Sequence, residues 1–99
     1  MMEPVITDRA HADLDEMWDQ ISERDPRAAD RLLDRFYAAA RTHAQFPESG
    51  RSREDVAPGL RSFVVKPYVV FYRPARATIE VLRVLHGRRN IGRIMRDEG

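Results

Sequence analysis

The segment that decides the fold is LRSFVVKPYVVFYRPARATIEVLRVLH, residues 60–86. Its runs 60–65, 68–73 and 79–86 are rich in β-branched and aromatic residues, which is typical of β-strands. Pro67 separates the first two runs, and Pro74 with residues 75–77 separates the last two. Connectors this short join only antiparallel strands. The segment therefore predicts a three-stranded antiparallel meander.

Side-chain alternation along these strands predicts a sheet that is apolar on both faces. We expect Arg73 to lie opposite Thr78, which places Tyr72 opposite Ile79 and Val70 opposite Val81. The first predicted face carries Phe63, Val65, Val70, Tyr72, Ile79, Val81 and Leu85. The second carries Val64, Val69, Phe71, Leu82 and Val84. Because antiparallel sheets commonly leave one face in water, two apolar faces require a cover on each side.

Two amphipathic helices are predicted before the sheet, forming a hairpin over residues 8–46. Thr7 or Asp8 supplies the first N-cap, and Asp25 followed by Pro26 marks the second helix start. Val5-Ile6-Thr7 is an apolar start that we expect to add an edge strand. The predicted core comprises Leu14, Trp18, Ile21, Leu32, Leu33, Phe36, Phe63, Val70, Phe71, Val81 and Leu82. If Leu33 is buried, its replacement by alanine costs about 2–5 kcal/mol.

A polar connector, residues 47–59, leads into the sheet, and a basic tail, residues 87–99, follows it. Ile91, Ile94 and Met95 recur in this tail at helical spacing, which predicts a short helix too small to cover the whole second face. The fold class is therefore α+β. An antiparallel helical hairpin packs on a three- to four-stranded antiparallel sheet in the order βααβββ, with a short C-terminal helix. We expect residues 1–99 to form one domain, with the sheet at residues 60–86.

Charge is divided unequally between the two halves of the 99 residues. Residues 1–50 hold eleven acidic and six basic side chains, a net charge of −5, and residues 51–99 hold five and eleven, a net charge of +6. All but one of the basic residues are arginine, which suits planar contact with carboxylate or phosphate. A basic sheet half indicates an anionic partner, either a nucleic acid or an acidic peptide.

Several classes of protein are excluded by composition. The chain has no cysteine, so it can form neither a disulfide framework nor a thiolate metal site. No histidine, cysteine or carboxylate near His43 completes a metal set. We therefore interpret His11 and His43 as structural or surface residues, and we expect no metal and no cofactor. No apolar run approaches the roughly 20 residues needed to cross a bilayer, and the start lacks the pattern of a signal peptide. We therefore expect a cytoplasmic protein with no membrane partner.

An ordered set of motifs resembles the ParE branch of the ParE/RelE superfamily, the toxins of bacterial type II toxin–antitoxin pairs. The set covers nearly the whole chain. It consists of Ala12-Asp13-Leu14 with Trp18 and Ile21, Asp25-Pro26-Arg27-Ala28-Ala29, Phe46-Pro47-Glu48-Ser49-Gly50-Arg51, Pro58-Gly59-Leu60-Arg61-Ser62, residues 68–73, and residues 81–89.

The resemblance implies a toxin that inhibits growth until a cognate antitoxin neutralises it. In the ParE branch the usual target is DNA gyrase, and in the RelE branch the toxin cleaves mRNA on the ribosome. A third alternative is an inert interaction domain of the same fold. Fold alone does not choose among these, so the choice depends on the chemistry of the site.

Catalytic chemistry is weakly represented in this sequence. RNA cleavage needs a group to activate the 2′-hydroxyl, a proton donor and cations for the phosphorane. Arg61, Arg83 and His86 match basic positions of the RelE-like pattern, but its lysines and C-terminal tyrosine are missing. Arg61 and His86 also fall on opposite faces in the predicted register. We therefore expect a protein that is not an enzyme, with a ribosome-dependent ribonuclease as the alternative.

The resemblance implies an acidic, ParD-like antitoxin in a hetero-oligomer, with gyrase as the target. The charge and the apolar faces lead us to expect that the antitoxin lays apolar side chains on the second face of the sheet or along the groove of the helical hairpin. No direct sequence-specific nucleic-acid binding is expected. The antitoxin set is Arg61, Val64, Val69, Phe71, Arg73, Leu82 and Arg83. The target set is Arg83, His86, Arg88, Arg89 and Arg93.

Overall fold

The computed structural model describes residues 3–98, with side chains described as far as Arg96. The elements in chain order are β1 (Val5–Ile6), α1 (Asp8–Ser22), α2 (Pro26–Gln45), β2 (Arg51–Ser52), β3 (Arg61–Val65), β4 (Tyr68–Ala75), β5 (Thr78–His86) and α3 (Ile91–Glu98). The helical hairpin packs on one face of the sheet, and α3 follows the last strand. The predicted α+β class with a C-terminal helix is confirmed.

The helical hairpin forms where its local signals predict. The Thr7 side chain accepts a hydrogen bond from the Ala10 amide and caps α1. Asp25 accepts from the amides of Arg27 and Ala28, and Pro26 occupies the first helical position of α2. These contacts satisfy amide groups that a helix start otherwise leaves without partners.

The sheet is larger than predicted, with five strands in the order β1-β5-β4-β3-β2. β1 pairs with β5 in parallel and is the predicted edge strand. The two-residue β2 lies inside the segment predicted to be a plain connector and pairs antiparallel with the start of β3. The antiparallel meander β3-β4-β5 forms the centre.

The predicted register of the second hairpin is wrong. Ala75 lies opposite Thr78, so the turn is only Arg76-Ala77, with Ala77 at φ 60°. Tyr72 consequently faces Val81. A β-bulge follows, because Leu82 has no partner and Phe71 lies opposite Arg83. One extra residue reverses the alternation beyond it.

The bulge exchanges two core residues between the faces. Val84 packs with the helical hairpin, whereas Leu85 packs with Phe71 on the second face, the reverse of the prediction. Of the predicted core, Leu14, Leu32, Phe36, Phe63, Val70, Phe71 and Val81 are buried, and Trp18, Ile21, Leu33 and Leu82 are only partly buried. The partly buried residues lie at the edges of the packed layers and not at their centre.

Candidate partner-binding surface

A buried ion pair fastens the helical hairpin to β5. Both Asp13 carboxylate oxygens accept from Arg83, at 2.8 Å from Nε and 3.0 Å from an Nη atom. The Arg83 side chain is 3% exposed and that of Asp13 is 9% exposed. Asp13 also accepts from the Val84 amide at 2.9 Å. The pairing of β1 ends opposite Val81, so this carboxylate takes the place of a strand along the next part of the β5 edge.

Arg61 also stabilises the fold. Its guanidinium donates to the carbonyls of Glu48 and Gly50, at 3.0 and 2.8 Å, and fixes the loop before β2. The buried Tyr72 hydroxyl holds the same loop, since it donates to the Pro47 carbonyl and accepts from the Gly50 amide. A side chain at position 50 would overlap the Tyr72 ring, which explains the glycine there.

The second face of the sheet has its own apolar cluster. Leu60, Phe71, Leu85 and Met95 are buried there, with residues from the 53–60 loop and α3 packed around them. The Arg53 guanidinium lies 5.2 Å from the centre of the Phe71 ring. The prediction that Phe71 lies on an open face is therefore wrong, because α3 and this loop cover it.

The predicted antitoxin set is only partly accessible. Phe71 and Arg83 are buried, which contradicts their assignment as contact residues, and Arg61 is half-buried. Val69 and Leu82 are partly buried against the second cluster. Arg73 is exposed, and Val64 is 61% exposed although it is apolar. What remains open to a partner is the margin of the second face around Val64.

The three residues of the ribonuclease alternative line three different clefts. The Arg61 and Arg83 clefts share Arg73 but differ in their other walls, since Gly59 lines the first and Met95 the second. The His86 cleft includes Glu16. The bulge places His86 on the helical face, the face of Arg61, so the prediction of opposite faces is wrong. The two residues nevertheless pair with Tyr72 and Tyr68, at positions about 13 Å apart along β4. The three side chains do not converge on one reacting group.

The His86 cleft has a volume of about 330 Å³ and lies between α1 and the ends of β4 and β5. His86 Nδ1 accepts from the Arg88 amide at 3.1 Å, and its ring meets that of Tyr68 edge-on. Burial, followed by the charge of Glu16, raises the pKa of the Tyr68 hydroxyl. Because this hydroxyl stays protonated at neutral pH, it can donate a hydrogen bond but cannot act as a base there.

The predicted target set divides in the same way. Arg88, Arg89 and Arg93 are exposed, and Arg89 lines the same cleft as His86. Arg83 is excluded from this set by its burial against Asp13. Among the described residues, no group of three histidine, aspartate or glutamate side chains could hold a metal ion. No helix in the described part of the chain is long and apolar enough to span a membrane.

Asp13 is the structural residue that the sequence analysis missed. Its position, three residues after Ala10 and four before Met17, places it on the buried stripe of α1. A carboxylate on such a stripe indicates a buried partner, so the signal was present in the spacing. The 53–60 loop covers the second face of the sheet, but the sequence does not indicate this, because the apolar residues of the loop show neither helical nor strand periodicity.

These features define a class of protein. It is a small α+β protein whose sheet-forming half is basic and exposes both arginines and an apolar side chain. Residues 5–91 match the family model described as ParE toxin of type II toxin-antitoxin system, parDE. The chain therefore belongs to the ParE toxin family.

Individual relatives carry both ParE and RelE names, and a similar solved structure comes from a ParDE system. The chain is 38% identical over 80 residues to Toxin ParE3 of Caulobacter vibrioides, covering 80% of each chain. It is 37% identical to Toxin RelE2 of the same organism, covering 90% of this chain and 99% of that one. A structure from the chromosomal ParDE TA system of P. aeruginosa superposes with a TM-score of 0.72 at 25% identity, covering 87% and 96% of the two chains.

Proposed function

We propose that this protein is a toxin that inhibits DNA gyrase by binding and is neutralised by an acidic antitoxin. The observation that carries the binding mechanism is the separation of Arg61, Arg83 and His86 into three clefts. Acid–base catalysis requires its groups within hydrogen-bond reach of one reacting centre. Arg61 and Arg83 are also held by carbonyl and carboxylate oxygens, which leaves them to stabilise the fold.

The proposed target surface is the basic margin around the His86 cleft. Arg88 and Arg89 are exposed in the turn after β5, and Arg93 is exposed on α3. Exposed arginines at an interface rim accelerate association with an anionic partner and help select it. This surface lies at the opposite end of β5 from the Arg76-Ala77 turn, where Arg76 is also exposed.

Reversing the charge at Arg88 and Arg89 should raise the concentration needed to inhibit gyrase supercoiling at least about tenfold, since like charges across an interface cost several kcal/mol. Both side chains are exposed, so stability should change little. Arg89→Glu and Arg76→Glu form a matched pair, because each reverses one exposed charge and Arg76 lies at the other end of β5. Removing residues 88–99 is a poorer test, because it deletes Met95 and exposes the apolar cluster of the second face to water.

An Arg76→Glu variant as impaired as the Arg89→Glu variant would refute the target surface. Failure of the wild-type protein to inhibit supercoiling would contradict the gyrase proposal itself. Translation arrest with specific cuts in ribosome-bound mRNA that disappear in His86→Ala would then establish the ribonuclease alternative. A chain that neither inhibits supercoiling nor cuts mRNA would be the inert domain.

The antitoxin should bind the margin of the second face around Val64. Val64→Asp places a carboxylate where an acidic, amphipathic partner would lay an apolar side chain, so binding should weaken at least about tenfold. Val5→Asp is the control, because Val5 is another exposed valine, 50% accessible, at the opposite edge of the sheet. Calorimetry with the cognate antitoxin at two salt concentrations measures both the affinity and its electrostatic part. Equal binding by both variants, with no salt dependence, would refute this placement.

A further inference from the structure

The end of the sheet beside the His86 cleft collects basic side chains from three separate parts of the chain. The Lys66-Pro67 turn lies against the segment that follows β5, because the Gly87 amide donates to the Pro67 carbonyl at 2.9 Å. Arg35 of α2 reaches the same turn and donates to the Lys66 carbonyl at 3.3 Å. Both Lys66 and Arg35 are exposed, although neither was predicted to contact the target. The basic margin therefore extends from β5 across this turn to α2.

The cleft itself contains hydrogen-bond donors that lack acceptors. His86 Nδ1 accepts from the Arg88 amide at 3.1 Å, so the ring proton lies on Nε2. The Tyr68 hydroxyl keeps its proton at neutral pH, because burial, followed by the charge of Glu16, raises its pKa. In the described part of the chain, no acceptor lies within hydrogen-bonding distance of His86 Nε2, the Tyr68 hydroxyl or the Arg89 guanidinium. Three free donors favour a ligand that supplies acceptors.

The walls of the cleft limit what such a ligand can be. Met17 and Val84 are buried and supply an apolar wall against which methylene groups can pack. The Asp13 carboxylate in the same wall is paired with Arg83. Of the described residues that line the cleft, only Glu16 keeps a carboxylate without a cationic partner. Its charge disfavours a doubly charged phosphate more than a singly charged carboxylate, so an acidic side chain fits better than a phosphate group.

We propose that this end of the sheet binds an acidic segment of the protein target, with one carboxylate seated in the His86 cleft on the Tyr68 hydroxyl and His86 Nε2. The proposal rests on the proposed function, because it names the chemistry that the target surface recognises. A second carboxylate of the same segment meets Lys66. The ends of β3, β4 and β5 together span about 10 Å, which an extended chain covers in about three residues.

A short peptide tests this site without gyrase. The probe is a capped peptide of glutamate, two glycines and glutamate, which places its carboxylates about 10 Å apart when extended. Titrating it into the isotope-labelled full-length protein should shift the nuclear magnetic resonance signals of Tyr68, His86 and Lys66 saturably, with binding that weakens as salt is added. The same peptide with glutamine in place of glutamate should leave these signals unchanged.

Variants of the donors test the seat of the carboxylate. Tyr68→Phe removes only the hydroxyl and should weaken peptide binding and gyrase inhibition about tenfold, since a hydrogen bond to a charged group is lost. Tyr37→Phe is the matched control, because Tyr37 is another half-buried tyrosine and lies outside this cleft. Lys66→Gln should weaken binding about two- to fivefold, whereas Arg76→Gln, which removes one charge at the other end of β5, should not. Circular dichroism checks that all variants remain folded.

The sign of the Glu16 effect identifies the charge of the ligand. If a carboxylate enters the cleft, Glu16→Gln removes a repulsion and should tighten peptide binding about two- to fivefold. Asp15→Asn removes the same charge from an exposed position on the same helix, outside the cleft, and should bind like the wild type.

Four results would overturn the proposal: no signal shifts with the glutamate peptide, equal binding by Tyr68→Phe and Tyr37→Phe, weaker binding by Glu16→Gln, or tighter binding of inorganic phosphate than of the peptide. The last result would assign the cleft to phosphate groups. If the wild-type protein fails to inhibit supercoiling, the gyrase function is refuted, and the peptide titrations still decide whether the cleft binds a carboxylate.

Discussion

Replacing Asp13 by alanine is expected to lower the free energy of unfolding by about 3–5 kcal/mol, because it leaves the buried Arg83 guanidinium without its carboxylate. Asp13 accepts two hydrogen bonds from Arg83 and one from the Val84 amide, so one substitution removes an acceptor that serves three donors. A domain of ordinary stability has only about 5–15 kcal/mol in total. The variant should therefore be marginally folded.

The measurement is urea unfolding of Asp13→Ala beside Asp15→Ala. Asp15 lies on the same helix but is exposed, so its replacement should change the free energy of unfolding by no more than about 0.5 kcal/mol. Arg83→Lys should also destabilise, since lysine cannot reproduce the two-pronged contact with the carboxylate. If Asp13→Ala is as stable as Asp15→Ala, the ion pair contributes nothing to the fold.

This buried pair changes how variants of Arg83 should be interpreted. The sequence places Arg83 among exposed contact residues for both antitoxin and target, whereas the structure buries it. Loss of toxicity in Arg83→Ala would follow from unfolding alone. Arg88 and Arg89 are exposed and can be changed without that ambiguity.

The helices could be predicted closely because their boundaries are set by neighbouring residues. Asp25 and Pro26 fix the start of α2 through contacts within three positions in the chain, and Thr7 does the same for α1. Such local contacts are present in the sequence itself. The helical hairpin and its sheet-facing stripe therefore follow from the sequence.

The register of β5 could not be predicted because two of its determinants lack a local signal. Two-residue hairpin turns are usually marked by glycine or asparagine, and Arg76-Ala77 has neither. The bulge at Leu82 lies beside the pairing of Phe71 with Arg83 and beside the contact of Asp13 with the Val84 amide. Neither contact can be read from the residues next to Leu82 in the chain, and the bulge exchanges Val84 and Leu85 between the faces.

For the candidate site, the sequence gives the charge of its residues but not their accessibility. Arg88, Arg89 and Arg93 are exposed, which their assignment to the target set requires, and their contact with a target stays a prediction. Phe71 lies on the predicted face and in the predicted core, but it is not open to a partner, because α3 and the 53–60 loop cover it through tertiary packing. Alternation along a strand predicts on which face of the sheet a side chain lies, but it does not predict which other elements cover that face.

Leu32 and Leu33 are neighbours in α2, and replacing each by alanine tests which of them belongs to the buried core. Leu32 is 6% exposed and packs against the sheet, so Leu32→Ala should cost about 2–5 kcal/mol through lost burial and a residual cavity. Leu33 is half-buried at the edge of that cluster and lines an open groove between α1 and α2, beside Trp18. Its replacement removes fewer contacts and leaves space that is open to water.

Leu33→Ala should therefore destabilise clearly less than Leu32→Ala, although both remove the same atoms from adjacent positions of one helix. Urea unfolding of the two variants gives the comparison, and their equal slopes would show that both unfold from the same native state. A Leu33→Ala loss as large as that of Leu32→Ala would mean that Leu33 belongs to the core. If the smaller loss is found, Leu33 lies at the open edge of the core, where removing side-chain atoms leaves no closed cavity.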